Sequence, residues 1–135
     1  MKLDNIKIGL CITGSFCNFE RTKEVIDELK NNNANITPII SEIVRDTSTR
    51  FYDKNEFIHM LEERTGNRVL DTICKTEPIG PKNMFDILLI LPCTGNTLGK
   101  ISNGISDSCV TMAVKSHIRN NKRVVVGIST NDGLR

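Results

Sequence analysis

Ile87 to Leu91 form an unbroken apolar run that leads directly into Pro92, Cys93, Thr94, Gly95, Asn96 and Thr97. A run without polar alternation fits a strand buried on both faces, as in a parallel sheet covered by helices. Ligands of such sheets bind beyond the carboxyl ends of the strands. Residues 92–97 fall at that end. They offer hydroxyls, an amide and the free backbone N–H groups of a helix start.

The remaining chain alternates strand and helix patterns. Ile6 to Ile12 reads as a first apolar strand, broken at Thr13-Gly14-Ser15. A helix follows over 18–31, with Thr22, Val25, Ile26 and Leu29 on one face and Asn18 as N-cap. The next strand, 35–41, contains Pro38, which has no N–H for a ladder and so needs an unpaired flank or a bulge. Asp53-Lys54-Asn55-Glu56 resembles a capping box opening a helix with Phe57, Ile58 and Leu61 inward and Gly66 closing it. Residues 69–74 form a weaker strand pattern, and 76–83, with Pro78, Gly80 and Pro81, a loop. After the apolar run come one long helix over 97–120 and a strand over 123–128.

This order predicts one α/β domain over residues 1–135. The expected architecture is Rossmann-like and doubly wound: a mainly parallel sheet of about five strands, flanked by helices in three layers. Ser129 to Gly133 reads as a turn where a further helix would begin, so the expectation is a chain lacking a C-terminal portion.

Composition narrows the function classes. Eighteen basic and 16 acidic residues leave a charge of +2, and the two signs are interspersed. Neither a nucleic-acid partner nor a membrane surface is implied. Aromatic residues make up 4%, with no Trp, which argues against a base-stacking platform. The five cysteines are an odd number with no C-x-x-C, read as small apolar residues of a reducing compartment. No signal peptide or membrane span is expected from this pattern, and a cytoplasmic location follows.

Two corners carry the chemistry. Thr13, Gly14 and Ser15, between a strand and a helix, suit a phosphate held by backbone N–H groups and hydroxyls; the alternative is a plain turn. Neither G-x-x-x-x-G-K-[ST] nor G-x-G-x-x-G occurs, which disfavours ATP hydrolysis and ordinary NAD binding. At the second corner Asn96 suits the edge of a heterocycle or a carboxylate, or else caps a helix. Ser41 would reach the same rim, or cap a turn. A reversal of strand order between the first and fourth strand patterns would put both corners on one crevice.

Acid–base candidates are few. His59 reads as a surface or packing residue, and His117 as a contact to a helix C-terminus. Asp107 pairs with a neighbouring chain, caps a loop or is solvated. With no catalytic triad or paired carboxylates, a cofactor or a second subunit must carry any chemistry.

Pro92-Cys93-Thr94-Gly95-Asn96-Thr97-Leu98-Gly99-Lys100-Ile101-Ser102-Asn103-Gly104-Ile105-Ser106-Asp107 resembles the P-x-[ST]-x-N-T-x-x-K-x-[AS]-x-G-x-[AS]-D signature of the flavin-binding cysteine-decarboxylase-like flavoproteins. Within them the chain is most similar to the B-subunit branch of the dipicolinate synthases. The segments that carry this likeness include Asp46-Thr47-Ser48-Thr49-Arg50-Phe51, Glu77-Pro78-Ile79-Gly80-Pro81-Lys82 and Ile128-Ser129-Thr130-Asn131-Asp132-Gly133.

The resemblance implies FMN, with the phosphate at Thr13, Gly14 and Ser15, and with Ser41, Thr94, Gly95, Asn96 and Thr97 toward the ribityl chain and ring. It implies an oxidoreductase component that forms dipicolinate from a dihydrodipicolinate-level precursor during sporulation. The implied partners are a dehydrogenase-like A subunit, further copies of the chain and a small dicarboxylate, in the mother-cell cytoplasm. The decarboxylases' histidine and Pro-x-Met-Asn-x-x-Met clamp are missing from this sequence, which disfavours cysteine decarboxylation. A scaffold protein without flavin is the alternative from a different class.

Overall fold

A computed structural model describes residues 2–14, 19–50 and 52–128. The elements in chain order are β1 (Lys7–Ile12), α1 (Phe19–Asn31), β2 (Asn35–Ile40), α2 (Glu42–Asp46), α3 (Lys54–Thr65), α4 (Ile73–Thr76), a 3-10 turn Glu77–Ile79, β3 (Ile87–Cys93), α5 (Gly95–Ser102), α6 (Cys109–Ile118) and β4 (Arg123–Ile128). The four strands form one all-parallel sheet in the order β2-β1-β3-β4.

Side-chain alternation sorts the core into two layers. Ile8, Leu10 and Ile12 join Ile36 and Ile40 on one face, against Ile26 of α1 and Phe57 and Leu61 of α3. Cys11, Ile39, Leu88 and Ile90 pack on the other face against Val110, Ala113 and Val114 of α6. The continuous apolar runs of β1 and β3 are thus required, because each strand is covered on both sides. With helices on both faces, the three-layer α/β expectation holds.

The strand count is four rather than five. Residues 69–74 contribute only one parallel bridge, Leu70 to Ile39, before the chain turns into α4. The Thr72 side chain caps α4 by accepting from Lys75 N, which ends the extended segment. That bridge also resolves the Pro38 question. Leu70 N donates to Pro38 O at 2.9 Å on the flank away from β1, so the missing proline N–H faces the side where no full strand pairs. Likewise, the loop expected over 76–83 begins as helical turn, with Pro78 in the 3-10 segment.

The long helix expected over 97–120 is two helices. Gly104 adopts φ +70, and Asn103 ends α5. Ser108 then opens α6 through a reciprocal capping box with Thr111. An αL glycine and a Ser cap are the stop and start signals that override the continuous apolar period. By contrast α3 keeps the expected ends: Asp53 accepts from Asn55 N and Glu56 N, and Gly66 closes the helix at φ 73. In α1, Thr22 and Ile26 are buried as anticipated, whereas Asn18 lies outside the described residues.

Glu77 to Asn83 lies against α6. Gly80 N donates to Ser116 Oγ at 2.7 Å, an approach so close that a Cβ on Gly80 would sit 2.1 Å from Ser116 O. Ser116 Oγ donates onward to Glu77 O, and Asn120 Nδ2 donates to Gly80 O. His117 stands in the last turn of α6, as expected, but is 1% exposed, and with Nε2 2.9 Å from Arg123 O it also anchors the start of β4. No described helix is long and apolar enough to cross a membrane.

Candidate functional site

The chain passes from β1 outward to β2, then returns across β1 to β3 on its other side. The order therefore reverses between β1 and β3. A crevice opens at their carboxyl ends, the place where open α/β sheets take ligands. It encloses about 480 Å³ and is lined by Thr13, Gly14, Ser41, Glu42, Ile43, Thr94, Asn96, Thr97, Lys100, Asp107 and Ser108. That volume lies within the ordinary range of small-molecule sites.

The two corners anticipated from the sequence thus meet in one concavity. Thr13 and Gly14 come from the end of β1, Ser41 from the end of β2, and Thr94, Asn96 and Thr97 from the turn after β3. Gly95 belongs to the same turn as the first residue of α5, without lining the crevice. Ser15 lies outside the described residues.

The hydroxyls are not equally available. Thr13 is 2% exposed; its Oγ1 donates to Pro92 O at 2.8 Å and accepts from Thr94 N at 3.0 Å. Its side chain fastens β1 to the turn after β3, so what this position can offer a ligand is backbone and shape. Thr94 caps α5, accepting from Thr97 N at 3.2 Å and donating to Thr97 Oγ1 at 3.0 Å. Ser41 caps α2, accepting from Val44 N at 3.4 Å.

With Thr94 as the cap, Asn96 is released from that role. Its side chain is exposed and engages no group among the described residues. The first intrahelical bond of α5 runs from Leu98 N to Thr94 O. The N–H groups of Gly95 and Asn96 precede it and remain open donors. These open groups, with the Asn96 amide, match the edge of a hydrogen-bonding heterocycle.

Five lining residues were not foreseen as site residues: the apolar Ile43 and four polar ones. Glu42, in the first turn of α2, accepts the Cys109 N–H at 3.0 and 3.2 Å, tying α2 to the start of α6. A carboxylate at a helix N-terminus is favoured by the helix dipole. Lys100 Nζ pairs with Asp107 at 3.0 Å, while the Asp107 side chain stays 60% exposed. Ser108 caps α6. Only the residue spacing after Thr94 could have signalled Lys100; the Glu42 contact spans 67 positions and leaves no local pattern.

Cys11, Cys93 and Cys109 lie in the core layer that packs on α6, while Cys74 is exposed, and all four are free thiols. Burial raises all three buried thiols, with Cys109 pushed up to about 12. They behave as core residues, not nucleophiles. His59 is on the surface of α3, 3.1 Å from Glu63. No group of metal-ligating side chains occurs among the described residues.

The sequence profile of the family described as Flavoprotein matches residues 1–131. The chain belongs to the Flavoprotein family. This flavoprotein is 44% identical over 128 residues to the B subunit of dipicolinate synthase from Bacillus subtilis (strain 168), a match covering 95% of this chain. It spans 64% of that relative's length. Its fold superposes on the crystal structure of the dipicolinate synthase B subunit from Bacillus halodurans C with a TM-score of 0.86 and 37% identity, covering 99% of this chain and 69% of that one. An FMN-dependent cysteine decarboxylase of thioviridamide biosynthesis shares the fold, with a TM-score of 0.73 at 19% identity over 96% of this chain and 76% of that one.

Proposed function

We propose that this flavoprotein holds FMN in the crevice between the carboxyl ends of β1 and β3 and serves as the B subunit of a dipicolinate synthase. The reading is supported by the convergence of Thr13, Gly14, Ser41, Thr94, Asn96 and Thr97 on one crevice, in a chain similar throughout to such subunits. When bound, the flavin supplies two-electron redox chemistry. The chain's own part is binding and orientation. Gly14 keeps the exit of β1 low enough for a ligand to approach the backbone. Gly95 N, Asn96 N and the Asn96 amide would meet the polar edge of the ring, and Ser41 the linker.

The substrate in this reading is a dihydrodipicolinate-level dicarboxylate, converted to dipicolinate with a dehydrogenase-like A subunit in the cytoplasm of a sporulating mother cell. Further copies of the chain would complete the cofactor site. One observation favours a second reading, a scaffold protein without flavin. The Thr13 hydroxyl and both crevice carboxylates are already engaged within the chain.

Titration of the purified chain with FMN, alone and with its A-type partner, separates these readings. The proposal requires near-stoichiometric uptake with the visible flavin bands retained after gel filtration. A colourless protein that still binds the partner would leave the scaffold.

A further inference from the structure

Lys100 is the one cation among the described residues that line the crevice, against two carboxylates, Glu42 and Asp107. The Glu42 carboxylate is taken up by the Cys109 N–H. Among the described residues Lys100 is engaged only by Asp107, at 3.0 and 3.4 Å, through a side chain 31% exposed. An ammonium has three N–H donors, so donors remain beyond this contact. An exposed ion pair is also held weakly, and a ligand anion can share or replace Asp107 at low cost.

The backbone fixes where this ammonium stands. Ile105 N and Asn103 N both donate to Lys100 O, at 2.9 and 3.2 Å, closing a tight loop after α5. Asp107 at the end of that loop, 60% exposed, draws the lysine side chain toward the crevice mouth. Asn96 lies four residues before Lys100 on the same helix, a spacing that stacks the two on one face. Both line the crevice. The tethered ammonium keeps donors there that a carboxylate accepts, next to the amide that would meet the flavin ring.

We propose that Lys100 binds a carboxylate of the substrate, and that Asp107 is a positioning residue that holds the ammonium at the crevice mouth. The assignment rests on the dicarboxylate reading above and deepens it. Without a cation at this rim, Glu42 and Asp107 would repel a dianionic ligand. With it, one carboxylate is neutralised.

The test uses dipicolinate itself as probe, titrated calorimetrically into wild-type chain, Lys100→Met, Lys100→Arg and Asp107→Asn, each with and without saturating FMN. Losing a hydrogen bond to a charged group predicts weakening by at least about tenfold in Lys100→Met. Lys100→Arg should stay close to wild type, and Asp107→Asn, which keeps the cation but loosens its tether, should weaken binding by less than Lys100→Met. Picolinate, with one carboxylate, should lose less of its affinity than dipicolinate in Lys100→Met. Equal weakening in Lys100→Met and Asp107→Asn would reduce the pair to a loop tether and overturn the assignment. So would wild-type affinity in Lys100→Met, or no dipicolinate binding by the wild type. FMN uptake by the wild type is scored separately, so loss of the flavin reading and loss of the Lys100 assignment give different results.

Discussion

The amide of Thr94 donates to the hydroxyl of Thr13 at 3.0 Å, across 81 positions of sequence. The same hydroxyl donates to Pro92 O, so one buried side chain fastens the carboxyl ends of β1 and β3 at the crevice floor. Thr13→Val keeps the shape and removes both bonds. Pro92 O keeps the Thr13 N–H at 3.3 Å, whereas the Thr94 N–H loses its acceptor; a stranded polar group costs about 1–3 kcal/mol, so a loss of about 2 kcal/mol is expected in urea unfolding. Thr13→Ser should recover most of it.

Gly80 and Gly99 should respond to alanine in opposite directions. At Gly80 a Cβ would meet the Ser116 carbonyl at 2.1 Å, and backbone cannot step aside as a flexible side chain can. Overpacking of this kind costs about 3 kcal/mol. At Gly99, inside α5, nothing lies within 4 Å of the added atom. Gly99→Ala should stabilise by about 0.5–1 kcal/mol through backbone entropy. Denaturant midpoints of the two variants check both signs.

These two glycines mark what the sequence could reveal. The apolar runs of β1 and β3, the caps of α3 and the buried stripe of α1 are local patterns, and each formed as its spacing required. The break at Asn103-Gly104 and the Ser108–Thr111 box were also written locally, within an apolar period across 97–120 that by itself reads as one helix. The commitment of Thr13 to Pro92 and Thr94, and of Glu42 to Cys109, arises from contacts between distant segments. No spacing rule reaches those. The fold was therefore more legible than the state of the site's hydroxyls.

Stability should fall in mild acid through His117. Burial lowers its pKa from the ordinary 6.5, with the Lys122 ammonium adding to the effect and the bond to Arg123 O opposing it. A lowered histidine pKa means that the unfolded chain takes up a proton before the folded one does. The contribution is full above 6.5 and is lost as pH falls from there through the lowered folded value. His117→Gln should show a smaller difference between unfolding curves at about pH 8 and about pH 5 than the wild type.

Thiol reactivity should divide the described cysteines by burial. Cys74 is exposed, while Cys11, Cys93 and Cys109 are 0% exposed with raised pKa values. Brief iodoacetamide treatment of the native protein followed by peptide mass spectrometry should find Cys74 alkylated and these three protected. In urea all four should react. Rapid native labelling of Cys109 would mean that the start of α6 opens readily.

If the crevice between β1 and β3 is where this flavoprotein takes its flavin, the cofactor must touch both corners at once. Amide chemical shifts recorded during an FMN titration of labelled protein test this residue by residue. The largest changes should fall on Gly14, Ser41, Gly95 and Asn96, with the α3 amides around Glu63 unmoved. Binding that shifts amides elsewhere and leaves Gly95 and Asn96 in place, or saturating FMN that shifts none, would contradict it.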